Sequence, residues 1–378
     1  MLFIHNDVVR ENLTVAECVP VLENAFQKIE TGEAMERPRI DMYMPCELDD
    51  GYLRWGTSEG TNDGIFAIRM KSDVISWPES RSGARTEEKY CVAPGTWCGL
   101  VMLFSTKNGE PLGFINDGEI SRIRVGAAAA IGARHLAREN ATSVGLLGSG
   151  GMARAYLEGF CEVRPIETCK VFSPTKANRN AYARDMSDKL DIEIIAVDDP
   201  ETALRGADIV ATCTDTMSPT VKADWLEPGM HLTDLCEEEI DDACLARIDV
   251  TIRQGEGGLP LPEQGRIMRL IGHSPVAYVA GTDEEIKRLP EKPAASPKIA
   301  QGWPNYGDLY YGRAKGREND RQITFYHNFG NQGLAFSSVG GYLYRKAKSM
   351  GLGREFPTDW FLKNMYFTFS TKDVDRES

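Results

Sequence analysis

The chain reads as an α/β protein in which a doubly wound parallel-sheet domain is set inside an α+β lobe. Three observations predict this. Roughly the first hundred residues alternate apolar and polar side chains in the manner of antiparallel strands. A long alanine-rich helix then changes the period, and strands alternate with helices of about ten to fifteen residues, the pattern of βαβ units. After a proline-rich connection come a strand-like run and a last helix. If these pack back on the first lobe, the parallel domain is an insertion.

The elements follow in order. TVAECVPVLENAFQKIETG (14–32) opens on a hydroxyl residue, carries apolar side chains at helical spacing and closes on glycine, so it predicts a helix. ERPRIDMYMP (36–45), YLRWGTSEG and GIFAIRMKSDV predict short strands, and TWCGLVMLFSTKNGEPLGFIND predicts two strands joined by the turn KNGE. EISRIRVGAAAAIGARHLAREN is the long helix. SVGLL with MARAYLEGFCEV, CKVFS with KANRNAYARDMSDKL, and IEIIAV with PETALRGA are strand–helix pairs, and DIVATCT, HLTDL and IDVTI complete the series. The polar segment 283–307 predicts little regular structure. RQITFYHNFG is a strand and QGLAFSSVGGYLYRKAKSMGLG a helix. The expected division is a lobe of 1–124 plus 313–378 around a parallel domain of 125–312.

Bulk properties narrow the function. A net charge of −13 argues against a nucleic-acid partner, which would need clustered lysine and arginine. The nine cysteines form no C-x-x-C pair and the five histidines are dispersed, so no metal site is expected. Charge interrupts the N-terminal segment too early for a signal peptide, and no apolar run approaches about 18 residues. A cytoplasmic protein with no membrane partner is expected.

VGLLGSGGMARA (144–155) carries the main motif. Gly148 permits a tight turn after the strand, Gly150 lets the backbone approach a pyrophosphate, and the small Ala153 permits close helix packing. Ser149, Gly151 and Met152 complete the loop, and amides at the start of the next helix supply an anion site. Its place at the head of a βαβ series predicts a dinucleotide site rather than a plain loop. The second strand ends VFSPTKANR, without the acid that usually holds the ribose hydroxyls of NAD. Ser173, Thr175, Lys176 and Arg179 suit a 2′-phosphate instead, so NADP(H) is expected, with NAD(H) the alternative. The competing reading makes Lys176 and Arg179 a solvated helix start. Thr212 and Thr214, at the end of a later strand, are placed to line the nicotinamide side; the competing reading is that the hydroxyls here serve the next helix, with Thr216 or Ser218 as its cap.

Arg39, Lys71 and Arg124 are cations in otherwise apolar or structured surroundings. Each alone suits a structural ion pair. Together they suggest a pocket for a small carboxylate, with an arginine fork and a lysine point charge.

GEPLGFINDGEISRIRVGAAAAIGARHLA resembles the D-G…T-x-x-R-T-A-A-x-x-x-L-A stretch of the ornithine cyclodeaminase/μ-crystallin family. RPR, MKSDVISWP, GLLGSGGMA, HLTDL and GRAKGRENDRQITFYHNFG follow in that family's order, over almost the whole chain. The resemblance implies a Rossmann-type domain inserted in an α+β lobe used for substrate binding and homodimerisation, with a nicotinamide cofactor. It implies chemistry at the amine-bearing carbon of an amino or imino acid. Arg39, Lys71 and Arg124 match the family's substrate positions, Arg124 on the carboxylate clamp and Lys71 beside the reacting amine. Gly148, Ser149, Gly150 and Met152 match the cofactor loop. The chain departs from the family's G-[SA]-D-x-P-G-K-x-E-L stretch, reading HLTDLCEEEIDDACL. Asp234, with Glu237 and Glu238 beside it, supplies the candidate acid/base group there. The expected activity is NAD(P)H-dependent interconversion of a small 2-imino or cyclic ketimine acid with the 2-amino acid. The alternatives are a cyclodeaminase that recycles its cofactor and a non-catalytic NADPH-binding protein.

Overall fold

The structure, a computed structural model, describes residues 1–48, 51–79, 85–255, 267–268, 277–279, 281–291 and 302–364. β1 (Leu2–Ile4) leads into α1 (Asn6–Asn12) and α2 (Val15–Thr31). A capping box opens α2: Glu17 N donates to the Thr14 hydroxyl at 3.2 Å, and Thr14 N donates to the Glu17 carboxylate at 3.0 Å. Gly32, at φ +76°, closes it in the left-handed conformation that glycine adopts without strain. β2 (Met35–Pro45), β3 (Gly51–Asn62) and β4 (Ile65–Ser76) follow, longer than the short strands expected. Then come β5 (Glu88–Cys91), β6 (Ala93–Pro94) and the expected hairpin β7 (Gly99–Ser105) and β8 (Pro111–Asn116).

α3 (Asp117–Leu136) joins the two lobes. Its Ile120, Ile123 and Ala127 pack with α2, while Val125, Ala129 and Ala133 pack in the core beneath the second sheet. That sheet is built from β9 (Ser143–Leu147), α4 (Gly151–Val163), β10 (Thr168–Phe172), α5 (Lys176–Leu190), β11 (Glu193–Ala196), α6 (Pro200–Leu204), β12 (Ile209–Thr212), β13 (His231–Thr233), α7 (Asp242–Leu245) and β14 (Val250–Arg253). β15 (Ile267–Met268), β16 (Ala277–Val279), α8 (Asp283–Ile286), α9 (Tyr306–Tyr310), β17 (Thr324–His327), α10 (Gln332–Met350) and β18 (Arg354–Glu355) complete the described chain. The part of the connection at 292–301 and the C-terminal 365–378 lie outside the described residues.

The second sheet runs β11-β10-β9-β12-β13-β17-β14, with its neighbours parallel. Its chain order reverses between β9 and β12, the doubly wound topology expected from sequence, and the ends of those strands form a ligand crevice. The first sheet runs β15-β16-β2-β3-β4-β7-β8-β1-β18.

Sheet membership departs from the expected boundaries. β17 falls within 313–378 yet inserts between β13 and β14, and its four residues are all buried, as the middle of a parallel sheet requires. β16 falls within 125–312 yet pairs with β2, and its buried–exposed–buried pattern suits a strand with one wet face. β1 and α1 were not expected at all.

The two faces of the first sheet differ in chemistry. β4 alternates strictly in burial, so Ile65, Ala67, Arg69, Lys71, Asp73 and Ile75 share the inner face. Strand register continues the other face as Met42 beside Trp55, Thr57 beside Met70 beside Leu100, and Ile68 beside Met102 beside Phe114. The inner face buries charges among apolar side chains, while the outer face exposes apolar side chains among polar ones such as Arg37 and Glu59. Met42 and Trp55 are 47% and 37% exposed. Among the described residues, no helix is long and apolar enough to cross a membrane.

Candidate functional site

Strand register assembles the charged half of the site. Asp41, Gly56, Lys71 and Gly99 stand side by side across β2, β3, β4 and β7. The glycines make room: a Cβ on Gly56 would collide with the Asp41 carboxylate and Lys71 Cε, and one on Gly99 would collide with Asp117. Asp41 therefore lies 3.7 Å from Lys71 Nζ, with Arg39 Nε at 2.9 Å and Arg39 Nη2 at 2.5 Å on the same carboxylate. In the next row Arg54 pairs with Asp73 at 2.8 and 2.5 Å and with Glu87 at 3.2 Å. Arg69 holds Asp117 at 2.6 Å.

Burial lowers the Lys71 pKa well below that of an ordinary lysine, and the neighbouring Arg39 and Arg54 push the same way. Asp41 opposes them, but its carboxylate is already engaged by Arg39. Burial works against an ionised Asp41 too, and there Arg39 and Lys71 prevail, holding it below the usual carboxylate range. The cations that depress Lys71 are Arg39 and Arg54, and not Arg124.

Arg124 is placed differently. Its Nε is shut off from solvent with no hydrogen-bond partner, and its guanidinium lies 4.9 Å over the Phe336 ring. Of the acids in its field, Asp117 gives one oxygen to Arg69 while its Oδ1 is buried without a hydrogen bond, the Tyr156 hydroxyl is engaged by Asp234 O and Asn328, and Glu36 by the start of α10. Burial, reinforced by Arg69, lowers its pKa to about 10. Among the described residues this guanidinium forms no ion pair within 4 Å, although Asp117 and Glu36 lie in its field.

Small residues fix Arg124 relative to the glycine turn. α3 crosses α4 so closely that a Cβ on Gly126 would collide with Ala155, and Gly159 lies against Gly126 in turn. A Cβ on Gly151 would stand 3.5 Å from Arg122 Cδ. The turn itself fits a dinucleotide. Gly148 has φ +107°, and a Cβ there would collide with the Cys213 carbonyl; over Gly150 the space is open. No side chain caps the 13-residue α4, which leaves its first amides for a phosphate. Ser149 and Ser173 bring their hydroxyls to 2.8 Å, Met152 packs on the core, and Thr175 and Lys176 are exposed beyond β10.

Three expected cofactor contacts look different in the structure. Arg179 donates to Ser173 O at 2.9 Å and pairs with Asp198, leaving its face stacked over Phe172 at 5.7 Å. Thr212 and Thr214 donate their hydroxyls to Glu239 at 2.9 and 2.7 Å, so they build the loop rather than present hydroxyls to a ring. Burial raises Glu239 to about 7 against those donors. Asp234 is also committed: its carboxylate accepts from His327 Nδ1 at 2.8 Å and Asn328 N at 3.1 Å. Glu237 lies 4.0 Å from His327 Nε2. An acid with both oxygens engaged orients its partner.

Sequence reasoning missed Asp41, Arg54, Arg69, Asp73, Asp117, Glu36, Phe336, Glu239 and His327. Spacing could have found some of them: Arg39/Asp41 and Arg69/Lys71/Asp73 are two apart on strands and so share a face. At the cleft rim Glu87 N donates to Asp215 O at 3.0 Å and Met217 N to Arg85 O at 2.9 Å, tying the first lobe to the loop after β12.

A parallel sheet of Rossmann type with a glycine turn, joined to a lobe that presents buried cations, defines a two-lobed dinucleotide-fold protein. The chain belongs to the ornithine cyclodeaminase/mu-crystallin family, whose model matches residues 1–340. It is 28% identical over 346 residues to a putative dehydrogenase of Rhizobium meliloti, covering 90% of this chain and 93% of that one. It is 27% identical over 295 residues to a Δ1-pyrroline-2-carboxylate reductase of Bacillus cereus, covering 78% and 81%. Among solved structures, the Thermococcus litoralis Δ1-pyrroline-2-carboxylate reductase in complex with NADH and L-proline superposes with a TM-score of 0.72 at 23% identity, covering 94% of this chain and 100% of that one. An archaeal alanine dehydrogenase dimer with bound NAD gives 0.70 at 21%, covering 94% and 99%. These likenesses bear out the expected fold class and family.

Proposed function

We propose that this protein is an NADP(H)-dependent reductase/dehydrogenase that interconverts a small 2-imino or cyclic ketimine acid with the 2-amino acid. The observation that carries the reading is Arg124, a buried guanidinium with an unpartnered Nε, next to Arg69 on the β4 face that also carries Lys71, a lysine with a depressed pKa. A substrate carboxylate supplies an anion and forms charge-assisted hydrogen bonds with Arg124. Lys71 then holds a proton at the substrate nitrogen, and Arg39 with Asp41 fixes its position. Asp234 acts as a positioning residue through His327. Bound at the glycine turn, a dihydronicotinamide supplies the hydride to C2. The rim contacts between 85–87 and 215–217 exclude water from the reacting pair. Relatives named as reductases of a cyclic imino acid support the substrate class.

The absence of an acid after β10, with Lys176 exposed there, supports NADP(H) over NAD(H). Incubating the enzyme with NADPH and Δ1-pyrroline-2-carboxylate, larger cyclic ketimines, or pyruvate plus amines tests both points. NADPH oxidation is expected, with a KM about tenfold or more below that for NADH. No oxidation with any imine refutes the activity, and equal KM values refute the cofactor preference.

The outer face of the first sheet supports a homodimer, since the exposed Met42 and Trp55, with Met70 on the same face, are most simply covered by a second copy. Light scattering checks this. Trp55→Arg is expected to halve the mass; an unchanged dimer, or a wild-type monomer, contradicts the interface.

A further inference from the structure

Glu36 stands on β2 opposite Gly60 on β3. Two glycines bring α10 onto this spot: a Cβ on Gly60 would collide with the Gly333 backbone, and one on Gly333 with Glu59. α10 has no cap from its own N-cap residue, Asn331. The Glu36 carboxylate takes that place, accepting from Leu334 N at 3.4 Å with the Asn331 and Gly333 amides beside it. Glu36 also borders a water-sized cavity with Arg39, Phe329, Asn331 and Gln332, and lies in the field of Arg124. A cap alone requires neither.

We propose that Glu36 competes with the substrate carboxylate for the field of Arg124, so that the substrate anion binds together with one proton, taken up at Glu36. This rests on the carboxylate-binding reading of Arg124. The charges facing Glu36 are few. On its own strand Arg37 pairs with Glu59 of β3, and Arg39 pairs with Asp41. From α3 comes Arg124, with the Arg69–Asp117 pair behind it. The first turn of α10 and the segment 329–331 bring none. Burial raises the carboxyl from its ordinary 4.5 to about 7, against the α10 amides and Arg124. An anion arriving at Arg124 weakens the cation's opposition and raises the carboxyl further, so binding takes up a proton and weakens as pH rises above about 7. Glu36 touches no reacting atom in this scheme; it is a positioning residue acting through Arg124.

The test uses the enzyme loaded with NADP+ and pyrrole-2-carboxylate, a planar and unreactive carboxylate, as the probe. Calorimetry at pH 7.5 in two buffers of different ionisation enthalpy counts the protons taken up. The wild type is expected to take up a substantial fraction of one proton, with Kd rising roughly tenfold from pH 7 to 8.5. In Glu36→Gln, which keeps the size and an oxygen for the α10 amides, uptake falls close to zero and Kd is flat with pH. Glu36→Asp, which keeps the charge, retains the uptake. Uptake that persists in Glu36→Gln overturns the proposal, as does its absence from the wild type. So does a Glu36→Gln that only lowers Tm. Turnover of an imine without proton-linked binding refutes this inference alone; no turnover and no probe binding refute the proposed function with it.

Discussion

Arg124→Met is expected to lower kcat/KM for the imine about a thousandfold, or ~4 kcal/mol, while leaving the affinity for NADPH unchanged. The size follows from placement. The Arg124 Nε is shut away without a partner and no described acid forms an ion pair with the guanidinium, so the proposed substrate carboxylate supplies its direct counter-charge. Removing it leaves that carboxylate desolvated beside Arg39 and Lys71, which already share Asp41. Stability responds in the opposite sense. The folded state holds the guanidinium proton less tightly than the unfolded chain, since burial and Arg69 lower its pKa from 12.5 to about 10. A methionine against Phe336 removes an uncompensated cation, so Tm is expected to hold or rise by about 1–3 °C. Steady-state kinetics with a thermal melt separates the effects. A variant within tenfold of wild type in kcat/KM, or one that unfolds, shows that Arg124 is a structural cation.

The parts of this site that were legible in sequence are those whose chemistry is local. Gly148, Gly150 and Ala153 do their work within one turn, and the strand–helix alternation around them is a matter of period. Arg39, Lys71 and Arg124 stand out in sequence as cations in apolar or structured surroundings, and the resemblance gave each its role. Their partners depend on register: Asp41 meets Lys71 because Gly56 on the intervening strand has no side chain, which no pattern within β2 or β4 records. His327 meets Asp234, and Leu334 meets Glu36, across separations of 93 and 298 residues. Sheet membership failed for the same reason. β1 is three residues long, too short to show alternation, and is held by β8 and β18 from distant parts of the chain. The Arg179 guanidinium and the Thr212 and Thr214 hydroxyls were the right types for a nucleotide site, but closer acceptors, Ser173 O, Asp198 and Glu239, claim them.

Lys71→Met is expected to lower kcat for imine reduction about 10²–10³-fold with little change in NADPH binding. Reduction adds a hydride to C2 and a proton to nitrogen, so the protonated amine of Lys71 is the form that works in that direction. Wild-type reduction should therefore fall as pH rises through the depressed Lys71 pKa, and oxidation of the amino acid, which needs the neutral amine, should rise through the same pH. Lys71→Arg separates proton transfer from charge: it keeps the cation but holds its proton too tightly, and should remain nearly as slow as Lys71→Met. Stability gives an independent reading of the same group. Because the folded pKa lies below the unfolded 10.5, the unfolded chain binds more protons between those two values, and wild-type stability should rise with pH across that window. Lys71→Met removes that slope and, by removing a cation crowded by Arg39 and Arg54, should be the more stable protein on the acid side of the window. If Lys71→Arg restores most of the rate, Lys71 supplies only charge. If the wild-type pH profiles of reduction and oxidation run in parallel, the proton comes from another group.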